Sequence, residues 1–239
     1  MATWPRPTRT GSRTNFPMLE IAENVFQISV FPRKAVNAYL IGSIIVDSGV
    51  RSSAAGLKKA LGQRSLTAHV LTHAHADHQG SSAFLCDNYR LPLWCGAADV
   101  PAAQNGQVTG EYPNPRHPIA RLQQRFWAGP GHPVARTLRD GEMVGDFRVI
   151  ETPGHASGHL ALWRERDGVL IAGDVLVNMD MFTTLPGLHE PPTLFTHNVA
   201  QNRQSIRKIA ALKPRVIGFG HGPVLRDTDE LLALAARLG

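Results

Sequence analysis

Three histidines and one aspartate lie within six residues of the chain, in the segment Thr72-His73-Ala74-His75-Ala76-Asp77-His78. This segment directly follows the short apolar stretch Ala68–Leu71. Alternate residues of an extended chain point the same way, so His73 and His75 can face one ion together. Asp77 and His78 reach a second position as the chain turns into a helix. Imidazole and carboxylate without thiolate suit zinc, and also iron or manganese. We therefore predict a metal site here rather than a histidine-rich surface loop.

Further candidate ligands follow other short apolar runs, and each of them is flanked by glycine. They are His155 in Pro-Gly-His, Asp174 in Gly-Asp and His221 in Gly-His-Gly. Glycine lets the backbone turn sharply and lets an ion approach closely. Each of these motifs alone is typical of an ordinary turn. Together with the first motif, they predict a site assembled at the ends of several strands, on a rigid scaffold.

The order of these motifs resembles that of the metallo-β-lactamase-fold hydrolase superfamily, and the resemblance covers most of the chain. The segments Val36–Ile41 and Ile45–Gly49 look like the opening hairpin of that family. The resemblance implies an α/β fold, an αββα four-layer sandwich of the metallo-β-lactamase type with the metals at one edge. The alternation of predicted strands and helices along the chain agrees with two packed sheets that have helices outside.

The resemblance also implies a role for each candidate residue. The first ion would be held by His73, His75 and His155, the second by Asp77, His78 and His221, and Asp174 would bridge the two. In secreted β-lactamases of one subclass the bridging position is a cysteine. The aspartate here favours dinuclear hydrolases that are similar to glyoxalase II or to lactonases.

A pair of divalent ions determines the chemistry that we expect. Two ions that share a water lower its pKa to about 7, which yields hydroxide at neutral pH. Asp77 and Asp174 would act as catalytic residues, because their charge partly neutralises the ions and they can accept a hydrogen bond from the bridging hydroxide. We predict a metal-dependent hydrolase that cleaves an ester, lactone, thioester or amide bond of a small substrate. Zinc is the expected metal, with iron or manganese as alternatives.

Other reactions of the same fold remain open. A glyoxalase II-like thioesterase would be expected to add a helical region that binds glutathione, whereas this chain ends one predicted helix after His221. A phosphodiesterase would be expected to carry basic appendages. A persulfide dioxygenase-like oxidoreductase would hold a single iron on two histidines and one aspartate. Metal content discriminates between a hydrolase and an oxygenase, since about two zinc ions per chain favour hydrolysis and about one iron favours oxygenation.

Residues around the candidate ligands yield weaker predictions. Asp47 ends an apolar strand and is placed either to orient a ligand histidine or to cap a turn. His159 is placed either to orient a ligand histidine in the same way or to pack as a buried histidine, and it is not expected to be a ligand itself. The long segments Gly96–Glu142 and Asn178–His197 break the regular pattern, yet they carry apolar side chains. We expect them to form a lid or a small satellite core that shapes the substrate pocket.

Length and composition are consistent with one domain, residues 18–239, after a flexible arm of residues 1–17. No run approaches the roughly twenty apolar residues of a membrane span, and the arm lacks the apolar centre of a secretory signal, so we expect a cytoplasmic protein.

Cys86 and Cys95 are expected to be reduced and buried. The net charge is +6, but the arginines are scattered, so we expect neither nucleic acid nor a membrane as a partner. Oligomeric state is left open.

Overall fold

The computed structural model describes residues 16–181, 183–226 and 228–238. Within them, the first sheet has seven strands in chain order. They are β1 (Met18–Ala22), β2 (Val25–Ser29), β3 (Asn37–Ile41), β4 (Ile44–Val46), β5 (Ala68–Val70), β6 (Leu93–Gly96) and β7 (Val134–Leu138). Strands β1 to β4 form an antiparallel meander, and β5, β6 and β7 add to it in parallel.

The second sheet has five strands within the described residues, in the order β14-β11-β10-β9-β8. They are β8 (Met143–Val144), β9 (Phe147–Glu151), β10 (Leu160–Arg164), β11 (Val169–Ile171) and β14 (Val216–Gly218). Strand β14 pairs in parallel with β11, and the other pairs are antiparallel. A separate hairpin of β12 (Val177–Met179) and β13 (Pro186–His189) follows β11 in the chain.

The two sheets pack face to face, and helices cover both outer faces. Tyr39 and Val46 of the first sheet share one buried core with Phe147 and Leu162 of the second. The outer face of the first sheet packs on α1 (Ala54–Leu61), α3 (Ser82–Tyr89) and α4 (Val100–Asn105), and that of the second on α6 (Val199–Ala211) and α7 (Asp229–Arg237). Each layer thereby buries its apolar side. The predicted αββα sandwich is confirmed.

The sequence predicts a helix over Asp77–Leu85, which the structure divides in two, α2 (Ala76–Gln79) and α3. The division falls at Gly80 and Ser81. Ser81 leaves the helical conformation, with φ −106° and ψ 10°, and a Cβ atom at Gly80 would lie 2.5 Å from the backbone nitrogen of Arg51 and from the carbonyl oxygen of Trp127. The next amide, of Ser81, donates to the hydroxyl of Ser48. Close packing against distant backbone therefore interrupts the helix, although the local sequence favours its continuation.

The segment Gly96–Glu142 is more regular than predicted, because it contains α4, α5 (Pro118–Phe126) and β7. Helix α5 begins with proline at its first position, where no amide hydrogen is needed, and the His117 side chain accepts from the Ile119 amide at 3.3 Å. Near α5, Ala76, Val108 and Ala128 form a small separate core with Trp127. The prediction of a satellite core is confirmed for this segment.

The predicted flexible arm lies outside the described residues except for Phe16 and Pro17. Phe16 packs against the core beneath α1, and the Pro17 carbonyl accepts from the Ser29 amide at 3.1 Å. Both Cys86 and Cys95 are buried and unbonded to each other. None of the helices in the described part of the chain is long and apolar enough to cross a bilayer.

Candidate metal centre

The seven predicted ligands come from four strand ends at one edge of the sandwich. The chain leaves β5 into the segment with His73, His75, Asp77 and His78, leaves β9 toward His155, leaves β11 toward Asp174 and leaves β14 toward His221. These side chains are almost entirely buried, and the most accessible of the seven residues, Asp77, is 9% exposed. The structure thus brings together residues that are up to about 150 positions apart in the sequence.

Potential ligand atoms form three overlapping groups among the described residues, each with its atoms within 4.8 Å of one another. The groups are His73 with His75 and His155, His73 with His78 and Asp174, and Asp77 with His78 and His221. Asp174 Oδ2 lies 2.9 Å from His221 Nε2, 3.4 Å from His78 Nε2 and 3.6 Å from His155 Nε2. One carboxylate oxygen therefore contacts members of both predicted triads, which is the position of a bridge.

Unpaired buried atoms in the same place fit a cation. Hydrogen-bond partners are lacking, within the described residues, for the Nε2 atoms of His73, His75, His78 and His155 and for Asp174 Oδ1. Each unpaired buried polar atom costs about 1 to 3 kcal/mol, and a cation bound by the lone pairs of these atoms would remove that cost. A Cβ atom at Gly220 would lie 2.0 Å from Asp174 Oδ1, so glycine alone keeps this space open. The imidazole and carboxylate donors match a divalent transition metal.

A second set of contacts orients the imidazoles. His78 Nδ1 donates to Asp47 Oδ2 at 2.9 Å, and Asp47 also accepts from the Thr72 amide and hydroxyl, both at 2.8 Å. His221 Nδ1 donates to the Ala35 carbonyl. Both contacts place the proton on Nδ1 and leave Nε2 free to bind a metal. The predicted contact between Asp47 and a candidate ligand is confirmed.

His159 supports the centre without joining any of the ligand groups found among the described residues. Its Nε2 accepts from the Asp174 amide at 3.0 Å, and its Nδ1 lies 2.8 Å from the Thr152 hydroxyl. The prediction of a buried packing histidine is confirmed. Its additional effect is to fix the backbone that carries Asp174.

Burial and charge act differently on the two triads. Burial lowers the pKa of His75 to about 3, and lowers that of His73 and His155 well below the usual range, so these imidazoles are neutral. Burial also opposes protonation of His221, but the Asp174 carboxylate raises the pKa of His221 to about 9. A proton can therefore occupy this position between the carboxylates, and metal binding would release it.

Two residues that fix the loops of the metal centre, Asp99 and Asn37, could hardly be recognised from the sequence. Asp99 accepts from the Ala74 amide at 2.8 Å and from the Gly158 amide at 2.9 Å, so it links the loops that carry the first triad. Burial raises the pKa of Asp99 to about 7. Asn37 donates to the carbonyl oxygens of Phe219 and Gly222 and so fixes the loop of His221. The sequence indicated the role of Asn37 only in that it is a polar residue in an otherwise apolar strand.

A cavity of about 220 Å³ opens beside the centre. Both long segments line it: the first supplies Tyr112, Ile119, Gln123 and Trp127, and the second supplies Met181, Pro192, Leu194 and Phe195. The Tyr112 ring meets the His75 ring edge-on, with centroids 4.8 Å apart, and lies 5.4 Å from the Phe195 ring. The prediction that both segments shape a pocket is confirmed, and its walls are largely apolar.

Comparison with known proteins agrees with this architecture. The family model described as the metallo-beta-lactamase superfamily matches residues 32–221, which include every candidate ligand. The chain belongs to the metallo-β-lactamase superfamily. It is 30% identical over 225 residues to the probable metallo-hydrolase YflN of Bacillus subtilis, covering 82% of each chain. Membership in this superfamily makes the protein a metal-binding member of a hydrolase family.

Two further similarities bear on the chemistry. A hydroxyacylglutathione hydrolase of Halorhodospira halophila is 32% identical over 115 residues, but these cover only 48% of this chain and 34% of the relative. The structure of TTHA1623 in a di-iron-bound form matches with a TM-score of 0.62 and 28% identity, over 90% of this chain and 98% of that one. The superfamily binds divalent metals, and at least one similar protein holds two irons.

Replacement of Asp47 by asparagine tests the orientation of His78. We expect metal affinity to fall by about 10- to 100-fold, because the amide group places a donor where carboxylate oxygens now accept. The backbone φ of 58° at Asp47 suits asparagine, so the fold should tolerate the change. Competition with a chromogenic chelator measures the affinity. The exposed Asp87 on α3 provides the control Asp87→Asn, and equal affinities in the two variants would contradict the role of Asp47.

Acid destabilisation tests the buried His69, which pairs with the Ile45 carbonyl and the Ser82 hydroxyl. Burial lowers the pKa of His69 from 6.5 to about 4, so its stabilising effect is present above pH 6.5 and is lost as the pH falls toward 4. Between about pH 7.5 and about pH 4.5, chelated wild-type protein should lose about 2 to 3 kcal/mol of unfolding free energy relative to the His69→Gln variant. Urea titrations at each pH measure this difference. Parallel pH profiles of unfolding free energy for wild type and His69→Gln would contradict the prediction.

Proposed function

We propose that this protein is a dinuclear metal-dependent hydrolase that cleaves a carboxylic acyl bond, namely an ester, lactone, thioester or amide, in a small substrate. The observation that carries the proposal is the position of Asp174 Oδ2, 2.9 Å from His221 Nε2 in one triad and 3.6 Å from His155 Nε2 in the other. A single anionic oxygen between two complete triads suits two neighbouring cations.

The residues that would hold the ions are those of the two triads with Asp174 between them. Zinc suits their borderline donors, and iron or manganese are the alternatives. When bound, such a pair of ions lowers the pKa of a shared water to about 7 and so supplies a nucleophile at neutral pH. The neutral state of His73, His75 and His155, which burial enforces, leaves their nitrogen lone pairs available.

Asp77 and Asp174 are the residues placed to manage protons and charge. Both line the cavity, and Asp77 Oδ2 lies 3.4 Å from His221 Nε2. As carboxylates they would partly neutralise the metals and accept a hydrogen bond from the attacking water. The largely apolar wall of the cavity lowers the local dielectric beside the centre, which would strengthen these electrostatic interactions.

The lining of the cavity favours acyl substrates over phosphodiesters. Among the described residues that line it there is no arginine or lysine, whereas phosphate recognition ordinarily uses such cations. The similarity to a hydroxyacylglutathione hydrolase supports acyl hydrolysis, although it covers about a third of that relative. A mononuclear iron oxygenase would use two histidines and one aspartate, which would leave four of the seven clustered candidate ligands without a metal to bind.

A substrate panel with defined metal content tests the proposal. Zinc-loaded protein would be assayed on carboxylic esters, lactones, thioesters, a β-lactam and a phosphodiester, and iron-loaded protein on a persulfide with an oxygen electrode. We expect kcat/KM of at least about 10⁴ M⁻¹ s⁻¹ on one acyl class. Oxygen uptake with persulfide by a protein containing one iron, together with inactivity on every acyl bond, would contradict the proposal.

A further inference from the structure

Among the described residues, a group of large apolar side chains is exposed beside the cavity, and we call this group the apolar rim. The rim residues are Phe31, Ile119, Leu122, Phe126 and Leu185, and they are 41% to 65% exposed. Single exposed apolar side chains are ordinary on a protein surface, whereas a group of them marks an interaction site.

Contacts from two loops join the rim to the cavity wall. The Phe31 ring lies 6.4 Å from the ring of Trp127, measured between centroids, and Trp127 lines the cavity. Leu185 lies in the turn of the β12–β13 hairpin, next to Thr184, whose hydroxyl accepts from Arg33 at 3.0 Å. The loop of Phe31 and the turn of Leu185 therefore meet at this end of the molecule.

Helix α5 supplies the other three residues of the rim. Ile119, Leu122 and Phe126 are separated by three and then four positions, so they share one face of the helix. Ala120 and Gln123 are buried and form the face that packs on the protein. The apolar face of Ile119 is thus a second one, directed outward, and it begins at the cavity because Ile119 also lines it.

Positive charge accompanies this outward apolar face. Arg116, Arg121 and Arg125 are exposed, and their guanidinium groups form no ion pair within the described part of the chain. Arg125 lies over the ring of Phe126, 5.3 Å from its centroid. Residues 112–139 contain no aspartate or glutamate. The surface therefore combines apolar side chains with cations that lack a counter-ion.

This combination fits an anionic lipid surface better than a second copy of the chain. In a two-fold dimer the same patch faces itself, which would bring its arginines close together. Like charges repel, so the free arginines oppose such a dimer. Anionic headgroups offer a negative partner for arginine, and the acyl boundary beneath them accepts apolar side chains.

We propose that the apolar rim and the arginines of α5 bind the protein peripherally to an anionic lipid surface, with the cavity facing the lipid. The rim side chains would insert at the boundary between headgroups and acyl chains. The sequence led us to expect no membrane partner, because its arginines are scattered; the proposal departs from that expectation, since this surface forms only in the fold. The inference goes beyond the proposed function and does not depend on it.

Cosedimentation of the metal-loaded protein with vesicles tests the proposal. The vesicles would contain phosphatidylcholine alone or equal parts of phosphatidylcholine and phosphatidylglycerol. We expect wild type to bind the anionic vesicles and the double variant Leu122→Ser/Phe126→Ser to bind them at least about tenfold more weakly. Arg121→Gln/Arg125→Gln should bind about 30-fold more weakly, as two surface arginines provide.

Matched double variants control for overall apolarity and charge. Phe84→Ser/Leu232→Ser removes the same two types of exposed side chain from α3 and α7. Arg207→Gln/Arg237→Gln removes two exposed arginines from α6 and α7. Because salt screens distant charges, both controls should stay within about threefold of wild type.

The outcomes separate this proposal from its alternatives. Weaker binding in both rim variants with unchanged controls supports it, whether or not any substrate of the panel is hydrolysed. Absence of binding, equal binding to neutral vesicles, or equal losses in rim and control variants overturns it. Analytical ultracentrifugation adds one more decisive result: a wild-type dimer that Leu122→Ser/Phe126→Ser dissociates would assign the surface to a second copy and overturn the proposal.

Discussion

Replacement of Asp174 by asparagine should lower kcat/KM by at least about 10³-fold. The carboxylate contacts both triads, at 2.9 Å from His221 Nε2 and 3.6 Å from His155 Nε2. Asparagine has nearly the same shape, but it removes the negative charge and can turn an amino group toward imidazole nitrogens that must bind a cation. Steady-state rates on the best substrate of the panel, at fixed metal concentration, measure the effect.

The control for this experiment is Asp87→Asn, the same chemical change at an exposed position on α3. Far-UV circular dichroism of both variants checks that the fold is retained. A rate for Asp174→Asn within about tenfold of wild type, in protein with full metal content, would exclude Asp174 as a bridging and catalytic carboxylate.

Removal of the metals should destabilise the protein by about 4 kcal/mol, the linkage expected for ions present at about a thousand times their Kd. For a chain of this size that corresponds to a fall in Tm of about 10 °C. The physical reason is the set of unpaired buried Nε2 atoms of His73, His75, His78 and His155, which have no partner among the described residues. Differential scanning calorimetry with and without chelator measures the change.

Readdition of zinc should restore both the Tm and the activity of the chelated protein. Asp174→Asn serves as the comparison, because a damaged centre should show a smaller response to chelator. An identical Tm for chelated and zinc-loaded wild type would mean that these imidazoles contribute nothing to metal binding in the folded state.

Local sequence was sufficient to predict the parts of the centre that local geometry determines. The segment Phe147–Glu151 predicts a strand, and β9 has the same bounds, because its apolar run is short and clearly bounded. The candidate ligands directly follow such strands, so their convergence follows once the strands share one edge. The resemblance supplied the pairing of triads, and the structure places Asp174 between them.

Features that depend on distant chain segments could not be predicted. The helix is divided at Gly80 and Ser81, where backbone from Arg51 and Trp127 packs against Gly80 and the Ser81 amide donates to the Ser48 hydroxyl. Asp99 lies in a sequence that looks like an ordinary helix start, yet it receives amides from both loops of the first triad. The amide oxygen of Gln123, which has no partner among the described residues, depends on how α5 packs. Each of these depends on tertiary contacts rather than on periodicity or composition.

The most direct test of the account is the metal content of purified protein, measured by inductively coupled plasma mass spectrometry after dialysis against zinc. Two triads of ligand atoms, with Asp174 in contact with both, predict about two zinc ions per chain in wild type and at most about one in Asp174→Asn. A single ion per chain in wild type, unchanged in Asp174→Asn, would contradict the dinuclear centre on which the proposed hydrolysis depends.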